Sequence, residues 1–198
     1  MQLPQALHML ESKTLNLGDT VYWKDKSEVA VFQRYVKARG VDRVLALCFT
    51  TTRETSHHWD CYASGTAGIC IVFRKGKLLE AFKKHKGLKH GLVKYELIRN
   101  LPHKVKGKVH RWPFYKRSAF SDEKEYRIVY SDTGCKDPIG VKFTYDCIDA
   151  IYCSPWLSDD VLKSVKGILR KIVGQDHSFR INRTTVLENK EWIESFVP

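Results

Sequence analysis

Glu123, Glu125 and Arg127 alternate over five residues, so a strand through them would carry all three on one face. Carboxylates placed this way can stabilise positive charge that develops on a substrate. They can equally form an ordinary cross-strand ladder of ion pairs with no catalysis. Thr50 closes an apolar run, where its hydroxyl could hydrogen-bond a ligand, and Trp59 and Tyr62 stand three apart in a short helical stretch, able to line a pocket or to pack in a core. Tyr22, Trp23 and Lys24 end another short run. There Lys24 could meet a phosphate as a point charge or simply remain solvated.

Other chemistries find less support. His57 and His58 are adjacent, which points them to different helix faces, and no Asp, Glu or Cys stands at a ligand spacing from them, so no metal site is expected. Six cysteines show no C-x-x-C pair, and Cys48, Cys70 and Cys153 lie in apolar runs where a thiol behaves as a small hydrophobe. Disulfides and a structural zinc are therefore not expected, and a cysteine-histidine nucleophile has no defined spacing behind it. Neither phosphate-binding glycine signature occurs.

The chain has 198 residues, 43% hydrophobic and 28% charged, the composition of one ordinary globular domain. No apolar run approaches a membrane span and the N-terminus lacks a secretory pattern, so a cytoplasmic protein is expected. The net charge of +12 is unevenly spread. Residues 73–117 hold 15 Lys and Arg against two acids, Glu80 and Glu96, while the rest is close to neutral. Within that strip, Lys104, Lys106, Lys108, Arg111 and Lys116 are interleaved with Trp112 and Tyr115, which could neutralise phosphates and stack on unpaired bases. An acidic protein is the other partner such a strip suits. A long amphipathic helix for a membrane surface is missing from it.

The elements that must position these residues read as a mixed α+β set. Helices are predicted over residues 1–15, from Ser27 to Gly40, over His57–Ala63, from Leu78, and from Ser158 through Val173. Strands are predicted at Thr20–Trp23, Val44–Phe49, Ile69–Phe73, Gly91–Leu97, Ile148–Cys153 and Phe179–Ile181. Tyr126–Tyr130 and Ile139–Phe143 read as a pair around a turn, and 100–113 reads as a loop.

Three blocks carry a resemblance. The first is Cys48-Phe49-Thr50 with Trp59, Tyr62-Ala63, Gly68 and Ile71-x-Phe73; the second is Lys116, Phe120 and Glu123-x-Glu125-Tyr126-Arg127; the third is Ile148-x-x-Ile151, Pro155 and the helix after it. In this order they resemble an uncharacterised bacterial domain family often encoded near abortive-infection and phage-defence genes. The chain departs from that family in Thr50, His58 and Phe120, where Ser, Met and Trp are usual, and it lacks an Asn-Asp-Pro motif after the first strand. Glu123-x-Glu125 also resembles the E-x-E signature of mono-ADP-ribosyltransferases, in which a glutamate stabilises the oxocarbenium-like ribose as nicotinamide leaves.

That resemblance implies a single ADP-ribosyltransferase-like domain over 1–198 with NAD as substrate. Glu125 would be catalytic and Glu123 would orient substrate, with Tyr22, Lys24, Thr50, Trp59, Tyr62 and Arg127 around the dinucleotide. It implies a toxin that modifies nucleic acid, single-stranded RNA first, and is held by an acidic antitoxin. On that reading Glu125→Gln ends activity with stability nearly unchanged. A non-catalytic nucleic-acid-binding module and a nuclease that needs no metal are the rivals.

Overall fold

A computed structural model describes residues 1–134, 138–174, 177 and 179–196. The chain folds into two compact units, each assembled from segments distant in sequence. Unit 1 comprises 1–15, 54–81 and 142–198; unit 2 comprises 16–53 and 82–141. Both helices and open sheets occur, so the mixed α+β class holds.

Unit 2 is built on a four-stranded antiparallel sheet in the spatial order Gly18–Asp19, Arg43–Thr50, Glu125–Asp132, Lys89–Leu92. The run that reads as continuous apolar forms the long strand Arg43–Thr50, and Val44, Ala46 and Val129 from one sheet face meet Phe32 and Tyr35 of the helix Lys26–Arg39. That helix starts at Asp25, whose carboxylate accepts from the Ser27 and Glu28 amides at 2.8 and 3.3 Å, so Asp25 and not Ser27 is its cap. Gly40 ends it in the left-handed region at φ +61°, as its place in the sequence predicts.

Several expected elements of this unit differ. Thr20–Tyr22 is a 3-10 turn and not a strand, because Asp19 accepts from the Val21 amide and the Thr20 hydroxyl donates to the Val44 carbonyl at 3.0 Å, a local arrangement that outcompetes pairing. The expected strand 91–97 splits at Val93. Lys89–Leu92 joins the main sheet, whereas Lys94–Glu96 pairs in parallel with Tyr115–Arg117. The expected loop 100–113 is wound into short helices, one started by Pro102 in its first turn. Glu125–Asp132 pairs with Arg43–Thr50 and Lys89–Leu92, not with the segment after its own turn.

Unit 1 has a three-stranded sheet ordered Arg180–Arg183, Ile148–Cys153, Ile69–Phe73, parallel in its first pair and antiparallel in its second. The helix Asp159–Val173 buries Val165, Leu169 and Val173 and carries Asp159 and Asp160 in its first turn, which suits the helix dipole. Ser158 occupies the capping position without a side-chain hydrogen bond. A Cβ on Gly68 would collide with the Ala63 carbonyl, which gives that glycine of the first motif block a steric reason. Of the described cysteines all are free; Cys153 is buried and Cys70 partly so, but Cys48 keeps solvent access. Cys135 lies outside the described residues.

Candidate functional site

The second motif block forms one buried ionic cluster in unit 2. Residue Lys124 takes left-handed φ +45°, ψ +48°, and bends the chain between the 3-10 turn Ser118–Glu123 and the strand that begins at Glu125. Glu123 is therefore not on that strand, yet the bend still brings its carboxylate beside that of Glu125. Lys116 donates to both, to Glu123 Oε2 at 2.5 Å and Glu125 Oε1 at 2.6 Å, and lies 3.3 Å from Glu28 Oε2. Arg127 donates to Glu125 Oε2 through Nε and a terminal nitrogen at 3.1 and 2.6 Å, to Glu28 Oε1 at 2.7 Å and to the Pro113 carbonyl at 2.7 Å.

Aromatic faces hold the cations in place. Arg127 lies 5.0 Å from the Trp23 ring centroid and 5.7 Å from that of Phe32, and Lys116 lies 4.8 Å from Phe120. The Glu125 amide donates to the Tyr95 hydroxyl at 2.8 Å. Arg127 is 0% exposed, and Glu28, Glu123 and Glu125 are between 6% and 8% exposed. Three carboxylates thus share two cations.

The electrostatics favour the charged forms of Glu125 and Lys116. Burial pushes the Glu125 carboxyl upward, but the hydrogen bond with Glu123, the Arg127 charge and the Lys116 ammonium together hold it down to about 2. Burial alone would lower Lys116, yet the bonds to Glu123 and Glu125 raise it above the ordinary lysine value. Cys48 stands opposite Arg127 in the strand register. It retains solvent access, yet the dense protein around its sulfur pushes the thiol up to about 12, so it is no thiolate nucleophile at neutral pH.

The remaining candidates scatter. Thr50 is directly opposite Glu125 at the strand end and exposed, its hydroxyl accepting from the Thr52 amide at 3.3 Å. Tyr22 is 85% exposed and Lys24 is exposed; of that trio it is Trp23 that touches the cluster. Trp59 belongs to unit 1, where it is 2% exposed and donates its indole N–H to Glu54 Oε2 at 2.8 Å, a core role. Tyr62, also in unit 1, is half exposed and stacks on His58. Among the described residues no group of three or more His, Cys, Asp or Glu is placed to hold a metal, and no helix is long and apolar enough to cross a membrane.

Within the basic strip, Lys104, Lys106, Lys108 and Arg111 are exposed. Trp112 is half buried, packs on the unit 2 core and donates to the Val105 carbonyl at 3.1 Å, and Tyr115 is half buried in the short parallel pair. Lys116 does not belong to the exposed strip, because its ammonium lies inside the cluster with its side chain 8% exposed. The division of charge is sharper than the sequence window suggested. Unit 2 holds 22 basic and 10 acidic residues, a net +12, while unit 1 holds 12 of each.

No family model, curated protein or solved structure matches this chain. The residues themselves therefore carry the functional argument. Glu28 escaped the sequence reading, because nothing local ties an acid in the first turn of one helix to an arginine 99 positions later. Trp23 was visible as one of three candidates, and only the stack on Arg127 selects it. The cluster also gives the spacing of Lys116, Phe120, Glu123, Glu125 and Arg127 a structural reason: Lys116 meets Phe120 and both glutamates of the block, and Arg127 meets Glu125. The same geometry argues against the expectation that Glu125→Gln leaves stability nearly unchanged, since Glu125 is a buried partner of both cations.

Proposed function

We propose that unit 2 binds single-stranded nucleic acid through its phosphates, as a module whose buried glutamates are structural. The observation that carries this reading is the confinement of the whole net charge of +12 to one compact unit, displayed on exposed side chains such as Lys104, Lys106 and Lys108. A solubility charge has no reason to avoid half of the molecule, whereas a polyanion ligand needs it concentrated. The exposed Tyr22 ring offers a stacking surface in the same unit, better placed for that than the half-buried Trp112.

Charge reversal at Lys104, Lys106 and Lys108 tests this reading. Affinity for a single-stranded oligonucleotide should fall, and the slope of log K against log salt should flatten by about 2, since each single-strand phosphate contact contributes about 0.7. Fluorescence anisotropy across a salt series measures it. An unaltered slope removes the strip from nucleic-acid recognition.

One observation supports a second reading, a mono-ADP-ribosyltransferase. Thr50 stands opposite a Glu125 that is held ionised, the arrangement the E-x-E resemblance asks for at the ribose. In that reaction the bond from the ribose C1′ to nicotinamide breaks, a bond from C1′ to an acceptor atom of RNA forms, nicotinamide leaves and the acceptor's proton passes to solvent. Here an acidic antitoxin would compete for the cationic surface. Labelled NAD incubated with the protein and single-stranded RNA should then mark the RNA, and unlabelled RNA with intact NAD ends this reading.

A further inference from the structure

Unit 1 carries no net charge, yet one place in it concentrates cations. An open cavity of about 430 Å³ is lined by Lys166, Gly167 and Arg170 of the helix Asp159–Val173 and by Arg180, Ile181 and Asn182 of the strand Arg180–Arg183. That strand is at the edge of its sheet. Among the described residues six line the cavity, of which three are cationic and none is acidic.

The cations are held in advance of any ligand. The two terminal nitrogens of Arg170 donate to the His177 and Phe179 carbonyls at 2.8 Å each, and its guanidinium lies 5.6 Å from the Phe179 ring centroid. Lys166 Nζ donates to Asn182 Oδ1 at 3.1 Å. None of these three partners is a carboxylate, so these bonds orient the cations through neutral acceptors. The Arg180 residue is exposed, and its side chain makes no hydrogen bond or ion pair among the described residues.

Gly167 is the second observation. Glycine is a poor helix former, and here it sits in the interior of a 15-residue helix. A Cβ at this position would meet nothing within 4 Å, and the residue does not take a positive φ. Neither packing nor backbone conformation requires it. Gly167 is exposed and lines the cavity, so a longer side chain here would have open space to enter.

We propose that this cavity binds the phosphate groups of a polyphosphate ester. Three like charges around one small space repel one another, and a multivalent anion offsets them where a single carboxylate would not. The remaining guanidinium donors match phosphate oxygens, and the volume exceeds what two phosphates fill, leaving room beside Ile181 for an organic group. The site is independent of the nucleic-acid reading of unit 2.

Titration calorimetry with sodium pyrophosphate, free of divalent cations, tests it on the full chain. Arg180→Ala should weaken pyrophosphate at least tenfold. Gly167→Gln, which fills the space while improving helix propensity, should abolish this component with a melting temperature equal to or above that of the parent protein. Pyrophosphate attracted to the basic strip of unit 2 is unaffected by either change, so the component that disappears belongs to the cavity. A nucleoside diphosphate that displaces pyrophosphate makes the source a free nucleotide, and a 5′-phosphorylated oligonucleotide that does so makes it a chain end. Saturable binding that both variants retain in full, or no saturable binding at all, overturns the proposal.

Discussion

Replacing Arg127 by methionine is expected to destabilise unit 2 by about 3–5 kcal/mol, the usual consequence of leaving buried charges without their partner. Arg127 is 0% exposed and serves two carboxylates and the Pro113 carbonyl at once. Its loss leaves Glu28 and Glu125 facing each other with Lys116 alone between them, and Lys116 is already shared with Glu123. Lysine should recover only part of the loss, because a point charge cannot replace a planar fork packed against the Trp23 and Phe32 rings. Urea unfolding gives the size, and amide exchange in the strand Arg43–Thr50 shows that unit 2 is what opens. A methionine variant within about 0.5 kcal/mol of the parent, the range of an ordinary surface change, would contradict a structural role for the cluster.

The second large effect is acid sensitivity through Glu125. Its carboxyl is held at about 2 in the folded protein against an ordinary 4.5. A depressed folded value means that the unfolded chain binds the proton first on acidification. The stabilisation is therefore fully present above pH 4.5, falls as the pH drops below it and is lost once the pH passes through about 2. At one pH unit per 1.36 kcal/mol the amount is on the order of 3 kcal/mol. Glu125→Gln should lose a comparable stability at pH 7 and show a flatter acid limb. If the glutamine variant matches the parent in both respects, the carboxylate is not held by Lys116 and Arg127 in the way the geometry shows. A catalytic test at this position consequently has to be read against folded fraction.

The elements that follow local rules were legible in the sequence. Ile69–Phe73 and Ile148–Cys153 are found with the bounds their apolar runs give, and the helix ending at Val173 follows from its periodicity and from Gly174. The failures are also local in origin but depend on a distant partner. Thr20 turns because its hydroxyl finds the Val44 carbonyl, and the segment at 91–97 breaks because its two halves join different sheets.

The same distinction governs the candidate site. Sequence by itself determined that a dense positive strip exists and that Lys116, Phe120, Glu123, Glu125 and Arg127 form one block, since charge composition and short spacings are properties of neighbouring residues. Only the tertiary structure decided that Lys116 leaves the strip to serve two glutamates, that Glu28 joins them from the helix Lys26–Arg39, that Trp59 is spent in the core of unit 1 and that Lys166, Arg170 and Arg180 line one cavity. Periodicity and caps are fixed within a turn of helix or a pleat of strand. The partner of a charge is chosen by desolvation, which acts only after segments far apart in the chain have closed over it.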